Sequence, residues 1–425
     1  MTSFTMETYQ NEYLAEGAAE VNGIVTVTAS GGGAAAVATD AAEIIIIDIS
    51  GSMNYPPTKI RAAQQASCAA IDCIRDGVWF GLIAGTKLAH QVYPDQGTLV
   101  PASSETRNQA KQAVMGLQAQ GGTAIGAWLA LANQLFATVP SAINHAILLT
   151  DGKDESESAA ELEQTLAAAR GRFQCDCRGV GTDWAVSELR KVASALLGSV
   201  DIVADPAQLT ADFTAMVEQA MGKATADVAL RVWTPQTAAV SFVKQVAPDV
   251  VDLTGQRAAV NDRVGDYPTG AWGEESRDYH VCVTVKPGAV GDEMLAARVS
   301  LVVGGQVVSQ ALVKAIWTDD AQLSTRINRA VAHYTGQAEL AQAIQDGLEA
   351  RKAGDDATAT QKLGRAAQLA AASGNDATTK LLAKVVDVED AATGTVRLKS
   401  RVEDADEMAL DTRSTKTVRV TKSSS

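Results

Sequence analysis

Aromatic residues make up only 4% of this 425-residue chain, and its five cysteines are too few and of the wrong parity for a disulfide framework, so reduced thiols are expected. Cys175-Asp176-Cys177 lacks the spacing of a zinc knuckle and has no second pair or suitable histidine nearby, which leaves it as a pair of buried strand thiols. Basic residues are in deficit. Against 50 Asp and Glu stand 36 Lys and Arg, a net charge of -14, and nucleic acid is excluded as a partner because its binding draws on cations that neutralise phosphates. Long apolar runs are missing as well, which excludes a membrane-spanning helix, and Met1 to Glu7 has neither the basic start nor the apolar core of a signal peptide. A cytoplasmic location is expected. The four histidines, His90, His145, His280 and His333, are scattered outside any nucleophile or base motif, and no phosphate-binding Gly-x-x-x-x-Gly-Lys loop is present.

The most informative stretch is Glu43-Ile44-Ile45-Ile46-Ile47-Asp48-Ile49-Ser50-Gly51-Ser52. Four branched aliphatics between polar residues suit a strand buried on both faces, as in a parallel sheet covered by helices. An Asp-x-Ser-x-Ser turn then lies at the strand's carboxyl end, where open α/β sheets bind ligands. From about Ala42 to Met221 strand and helix patterns alternate. Strands are predicted at Val78 to Ala84, Ala146 to Thr150 and Phe173 to Val180, and helices at Lys59 to Ile74, Ser104 to Met115, Ile125 to Phe136, Ala159 to Arg170 and Val186 to Leu197. That order implies a doubly wound α/β domain with right-handed crossovers.

Two further turns complete a constellation. Gly121-Gly122-Thr123 precedes a helix, and Ile147-Leu148-Leu149-Thr150-Asp151 is a second apolar strand ending in an aspartate. If both strand ends share one sheet edge, Asp48, Ser50, Ser52, Thr123 and Asp151 converge as five oxygen donors. Hydroxyls and carboxylates are hard ligands and favour Mg²⁺, with Mn²⁺ or Ca²⁺ as substitutes, over softer metals. In these motifs, and in Gly179-Val180-Gly181-Thr182-Asp183, the segment resembles a von Willebrand factor type A domain with a metal-ion-dependent adhesion site, of a bacterial cytoplasmic type. The resemblance implies a Rossmann-like fold. It also implies that Ser50, Ser52 and Thr123 touch the metal directly, that Asp48 and Asp151 act through water, and that a partner's Asp or Glu fills the open position.

The rest of the chain reads differently. A strand at Val21 to Thr28, followed by a flexible Ser30-Gly31-Gly32-Gly33, is expected to join a later β module, so that residues 1–40 flank an inserted domain at 41–224. Short alternating strands at 225–318 predict a small sandwich-like all-β module, with Ala258 to Ala271 and Gly273 to Asp278 as turn-rich connections. Residues 319–388 read as three or four helices broken near Gly336, Gly354 and Gly374. Residues 389–425 lose helical periodicity and read as a disordered tail. In that tail Thr412, Thr415 and Thr417 lie among basic residues and are candidate phosphorylation sites for a Ser/Thr kinase, with capture by a forkhead-associated-like module.

The function expected is metal-dependent protein–protein binding, without catalysis. Two alternatives are a phosphorylation-regulated signalling scaffold acting through the tail and, more weakly, a metal-dependent hydrolase.

Overall fold

The computed structural model describes residues 2–31 and 40–420. It divides into two compact units, one made of the N-terminal strands with residues 227–269 and 274 onward, the other of the intervening α/β segment with residues 270–273. Gly32 and Gly33 of the expected flexible stretch lie outside the described residues.

The chain opens with strands β1 (Ser3–Gln10), β2 (Tyr13–Ala15) and β3 (Glu20–Ser30) of the first unit. The α/β unit then begins with β4 (Ala41–Asp48) and α1 (Thr58–Cys73), followed by β5 (Trp79–Gly85), β6 (Ala89–Tyr93), β7 (Val100–Pro101), α2 (Ser104–Met115) and α3 (Ile125–Phe136). It continues through β8 (Ile143–Thr150), α4 (Ala159–Ala169), β9 (Gln174–Val180), α5 (Val186–Ala195), β10 (Val200–Val203) and α6 (Leu209–Met221). The sheet runs β10-β9-β8-β4-β5-β6, with β7 also on β5. All pairs from β10 to β5 are parallel, and β6 and β7 are antiparallel to β5.

The reason β4 sits at the centre is its sequence. Ile44, Ile45, Ile46 and Ile47 are all fully buried, and each pays its way only with a helical layer on its own face. Ile45 and Ile47 share a core with Ala63, Ala66 and Ala70 of α1, Val114 of α2, and Phe213 and Val217 of α6. Alternation along the strand turns Ile44 and Ile46 to the opposite face. Serine caps set where two helices start: Ser103 and Ser158 each accept from the backbone of the third helical residue, and a side chain there answers back.

In the first unit, strands β11 (Thr225–Trp233), β12 (Ala238–Ala247), β13 (Val251–Asp252), β14 (Ala258–Asn261), β15 (Val264–Trp272), β16 (Ser276–Val285), β17 (Glu293–Val303) and β18 (Gln306–Thr318) follow. They form two sheets with the N-terminal strands, in orders β1-β3-β16-β12-β13 and β14-β15-β11-β17-β18-β2. The turn-rich connection expected at Ala258 to Ala271 is instead the hairpin β14–β15, closed by Asp262-Arg263. Gly265, Pro268 and Gly270 hide the strand in the sequence, whereas the side chains alternate between half-buried and buried along it.

The helices are α7 (Ala321–Ser324), α8 (Arg329–Lys352), α9 (Asp356–Ser373) and α10 (Asp376–Val385). Gly336 does not break α8, which runs through it for 24 residues; a lone glycine costs a helix only about 1 kcal/mol, and packing of Tyr334, Leu340 and Ile344 outweighs that. Gly374 does end α9, in the left-handed conformation at φ 67°.

The tail expected to be disordered is folded over residues 389–413. Its residues pair with Val386 to Val388 of the region expected to be helical, in the hairpin β19 (Val386–Asp390) and β20 (Thr395–Leu398), and build the helix α11 (Asp404–Arg413). Val396 and Leu410 enter the core formed by Leu348, Leu363, Ala366 and Leu382. Alone, the segment has too little apolar surface to fold; its few large side chains suffice because α8 to α10 offer a surface to cover.

Candidate metal centre

Parallel pairing delivers the candidate residues to one edge. Asp48 is level with Gly85, Ile47 with Leu149, and Thr150 with Gly179, so the carboxyl ends of β4, β5, β8 and β9 lie side by side. Beyond β4 the Ile49 N–H donates to the Gly85 carbonyl at 2.8 Å, and a 3-10 turn follows at Gly51–Asn54. The loop before α3 docks on that turn, with Gly51 N–H donating to Gly121 O at 2.9 Å and Gln120 N–H to Ile49 O at 2.6 Å. Gly121 takes φ +82°, where a side chain would be strained.

The five sequence-predicted donors come together. Ser50 Oγ and Ser52 Oγ share a hydrogen bond of 2.9 Å, and Ser52 Oγ donates to Asp151 Oδ1 at 2.7 Å. Thr123 Oγ1 and Ser52 Oγ both border Gly152, where an added Cβ would lie 3.2 and 3.5 Å from them. Asp48 is held by two donors, the Ser50 N–H on Oδ1 at 2.7 Å and the Thr150 hydroxyl on Oδ2 at 2.5 Å. Both aspartates are fully buried. Burial pushes the Asp48 carboxyl up to about 6, against the opposing hydrogen bonds of Thr150 and Ser50.

Sequence reasoning missed three neighbours. Thr150 positions Asp48 as described. Lys59, on the first turn of α1, is 6% exposed and donates to Asp151 Oδ2 at 2.7 Å and to Asp183 Oδ2 at 3.4 Å. Asp183 arrives from the turn after β9. The available signal for Lys59 was a lysine within the first helical turn after the metal loop, immediately before the apolar stripe that begins at Ile60.

The donor set of three hydroxyls and two carboxylates fits a hard divalent ion. Among the described residues no group of three or more His, Cys, Asp and Glu side chains is placed to hold a metal, so this oxygen cluster owes its character to hydroxyls.

The other edge of the same sheet carries a different cluster. Glu43 is level with His145, whose Nδ1 lies 2.9 Å from both Glu43 carboxylate oxygens and whose Nε2 lies 2.9 Å from Asp176 Oδ2. Burial works against the imidazolium, but Glu43 and Asp176 outweigh it and carry its pKa up to about 10. Burial also opposes ionisation of Asp176, yet His145, Arg178 and Ser199 bring its carboxyl well below the ordinary range. Glu43 and Asp48 are five residues apart on one strand, roughly 16 Å at about 3.3 Å per residue. His145 therefore stands far from the hydroxyl cluster and offers it no base.

The three tail threonines are spread along a folded segment. Thr412 is 1% exposed and its hydroxyl donates to Met408 O at 2.9 Å. Thr415 O accepts from Val250 N–H at 2.8 Å. The Thr417 hydroxyl donates to Val246 O at 2.7 Å, and Arg419 reaches Asp278 at 3.2 Å. A kinase acting on Thr412 would have to unfold α11 first, so the phosphorylated-tail expectation does not survive there.

A doubly wound α/β unit with an oxygen cluster at its carboxyl edge is the architecture of a von Willebrand factor type A domain. The family model of that domain matches residues 42–202, and a model described as a von Willebrand factor type A C-terminal domain matches residues 368–414. The solved structure of a von Willebrand factor type A protein from Catenulispora acidiphila is 53% identical, with 98% of this chain and 97% of that one covered at a TM-score of 0.94. The chain belongs to the von Willebrand factor type A family. The ArnB paralog VWA2 from Sulfolobus acidocaldarius shares the fold at a TM-score of 0.62 and 14% identity, over 97% of this chain and 98% of that one. Inter-alpha-trypsin inhibitor heavy chain H4 from Homo sapiens is 32% identical over 35% of this chain, and the match spans 17% of that protein's length. Domains of this family are typically interaction modules. Among the described residues no helix is long and apolar enough to cross a membrane.

Proposed function

We propose that this chain is a metal-dependent protein-binding protein, in which Asp48, Ser50, Ser52, Thr123 and Asp151 hold Mg²⁺, or Mn²⁺ or Ca²⁺ in its place, and the ion takes an Asp or Glu carboxylate of a partner protein. The observation that carries this reading is the connected chain of oxygens from Ser50 through Ser52 to Asp151, with Thr123 beside it. Ser50, Ser52 and Thr123 would face the ion, and the two buried aspartates would supply its counter-charge. When bound, the ion contributes Lewis acidity toward a carboxylate. The chain's own part is to fix the hydroxyls: Thr150 orients Asp48, and Gly121 and Gly51 lock the two loops together.

Binding is favoured over hydrolysis because His145, the buried histidine of this unit, is committed to Glu43 and Asp176 at the other sheet edge. The metal contact would give orientation and specificity, and the surrounding surface most of the affinity. We also read the two sheets of the first unit as a sandwich-like module, a reading supported by Gly23 of β3, where an added Cβ would lie 3.1 Å from the Val313 side chain of β18.

The test is a pull-down with the full chain as bait, in excess Mg²⁺ and in chelator, beside an Asp48→Ala/Ser50→Ala variant. A partner retained by the wild type in Mg²⁺ alone supports the proposal. Partners indifferent to both changes refute it.

A further inference from the structure

We propose that Lys59 is a resident counter-cation of the metal site, which sets the charge that the site shows to a divalent ion and to an incoming anion. The inference rests on the metal reading above and deepens it.

The ammonium is built into the site from three directions. α1 presents it, Asp151 Oδ2 accepts from it at 2.7 Å, and Asp183 accepts at 3.4 Å from the turn after β9. Gly181, at φ +68°, lies against it: an added Cβ there would stand in ordinary contact, 3.5 Å from Lys59 Cε and 3.8 Å from Nζ. The Lys59 side chain is 8% exposed and that of Asp151 is fully buried, so water screens this pair little. The Asp183 side chain, 72% exposed, is well screened and counts for less.

Charge arithmetic follows for the buried groups of the site, the exposed Asp183 being left out. Asp48 and Asp151 bring two negative charges and Lys59 one positive, a balance of minus one before metal binds. A divalent ion turns that to plus one. Without Lys59 the same ion would leave the site neutral. Lys59 therefore weakens the hold on the metal and strengthens the loaded site's pull on a carboxylate. It also ties down one Asp151 oxygen while Ser52 ties down the other, so the aspartate is held in place before the ion arrives.

The experiment measures Mn²⁺ affinity of the full chain by calorimetry and by electron paramagnetic resonance, for wild type, Lys59→Met, Lys59→Gln and Lys59→Arg. Methionine removes charge and donors; glutamine removes the charge and keeps a donor for Asp151; arginine keeps the charge. The expected result is Mn²⁺ binding about tenfold or more tighter in both neutral variants, with Lys59→Arg close to wild type. Binding unchanged or weaker in both neutral variants would overturn the charge role and leave the metal reading intact. Tightening by methionine without tightening by glutamine would also overturn it. Absence of Mn²⁺ uptake in every chain, wild type included, would overturn the metal reading and this inference together.

Discussion

Replacing His145 with leucine removes the imidazolium that joins Glu43 to Asp176 and leaves a fully buried and a partly buried carboxyl group without it. Glu43 is fully buried and its carboxyl is pushed up by burial, with His145 as the opposing influence. Breaking a buried ion pair from one side costs about 3–5 kcal/mol, here through Glu43, which is left with neither that partner nor water, while Asp176 keeps Ser199. The sign of the pH dependence is fixed by the same contacts. An imidazolium with a pKa of about 10 in the folded chain, against an ordinary 6.5, contributes stability that is complete below pH 6.5 and is lost as pH rises through about 10. The slope in that window is at most about 1.4 kcal/mol per pH unit. Cys175, whose thiol is raised by its hydrogen bond with Cys177 and by burial, adds an alkaline loss of its own, so the diagnostic quantity is the difference between wild type and His145→Leu. Hydrogen exchange of the β4 and β8 amides suits a chain of two units, where one global transition need not exist. The wild type should lose protection steadily from pH 7 toward 10, and the variant should start lower and decline less. A variant within 1 kcal/mol of wild type at pH 7, with a parallel pH profile, would refute the reasoning.

Two other substitutions probe the packing that supports the site and the tail. At Gly179→Ala the new Cβ would fall 1.8 Å from Trp184 Cε2, so the turn after β9 must shift, and a loss of about 1–3 kcal/mol in thermal or urea unfolding is expected. Leu410→Ala should cost about 2–5 kcal/mol and speed proteolysis between Leu398 and Arg413, whereas a tail that only solubilises would lose nothing.

Much of the α/β unit was legible because its signals are local. The isoleucine run, the aspartates that end β4 and follow β8, and the starts of α2 and α3 at Ser104 and Ile125 each announce themselves within ten residues. The grouping of Asp48, Ser50, Ser52, Thr123 and Asp151 was legible for the same reason, since each sits in or beside a short turn whose place on the sheet follows from parallel order. Lys59 was not, because its role depends on Asp151 and Asp183, which lie 92 and 124 positions away. The β14–β15 hairpin was masked by glycine and proline, residues that a strand tolerates when its neighbours supply the ladder. The tail was misread because its order comes from α8 to α10 rather than from its own composition. Strand β1 escaped too: its polar, threonine-rich run alternates in exposure and gains its place through pairing with β3 along its whole length.

The most direct test of the central claim is a Mn²⁺ titration of the full chain followed by electron paramagnetic resonance, with wild type beside Ser50→Ala/Ser52→Ala. One ion per wild-type chain is expected, displaced by Mg²⁺, and lost in the double variant while circular dichroism stays unchanged. Mn²⁺ bound equally by both chains, or by neither, would contradict it.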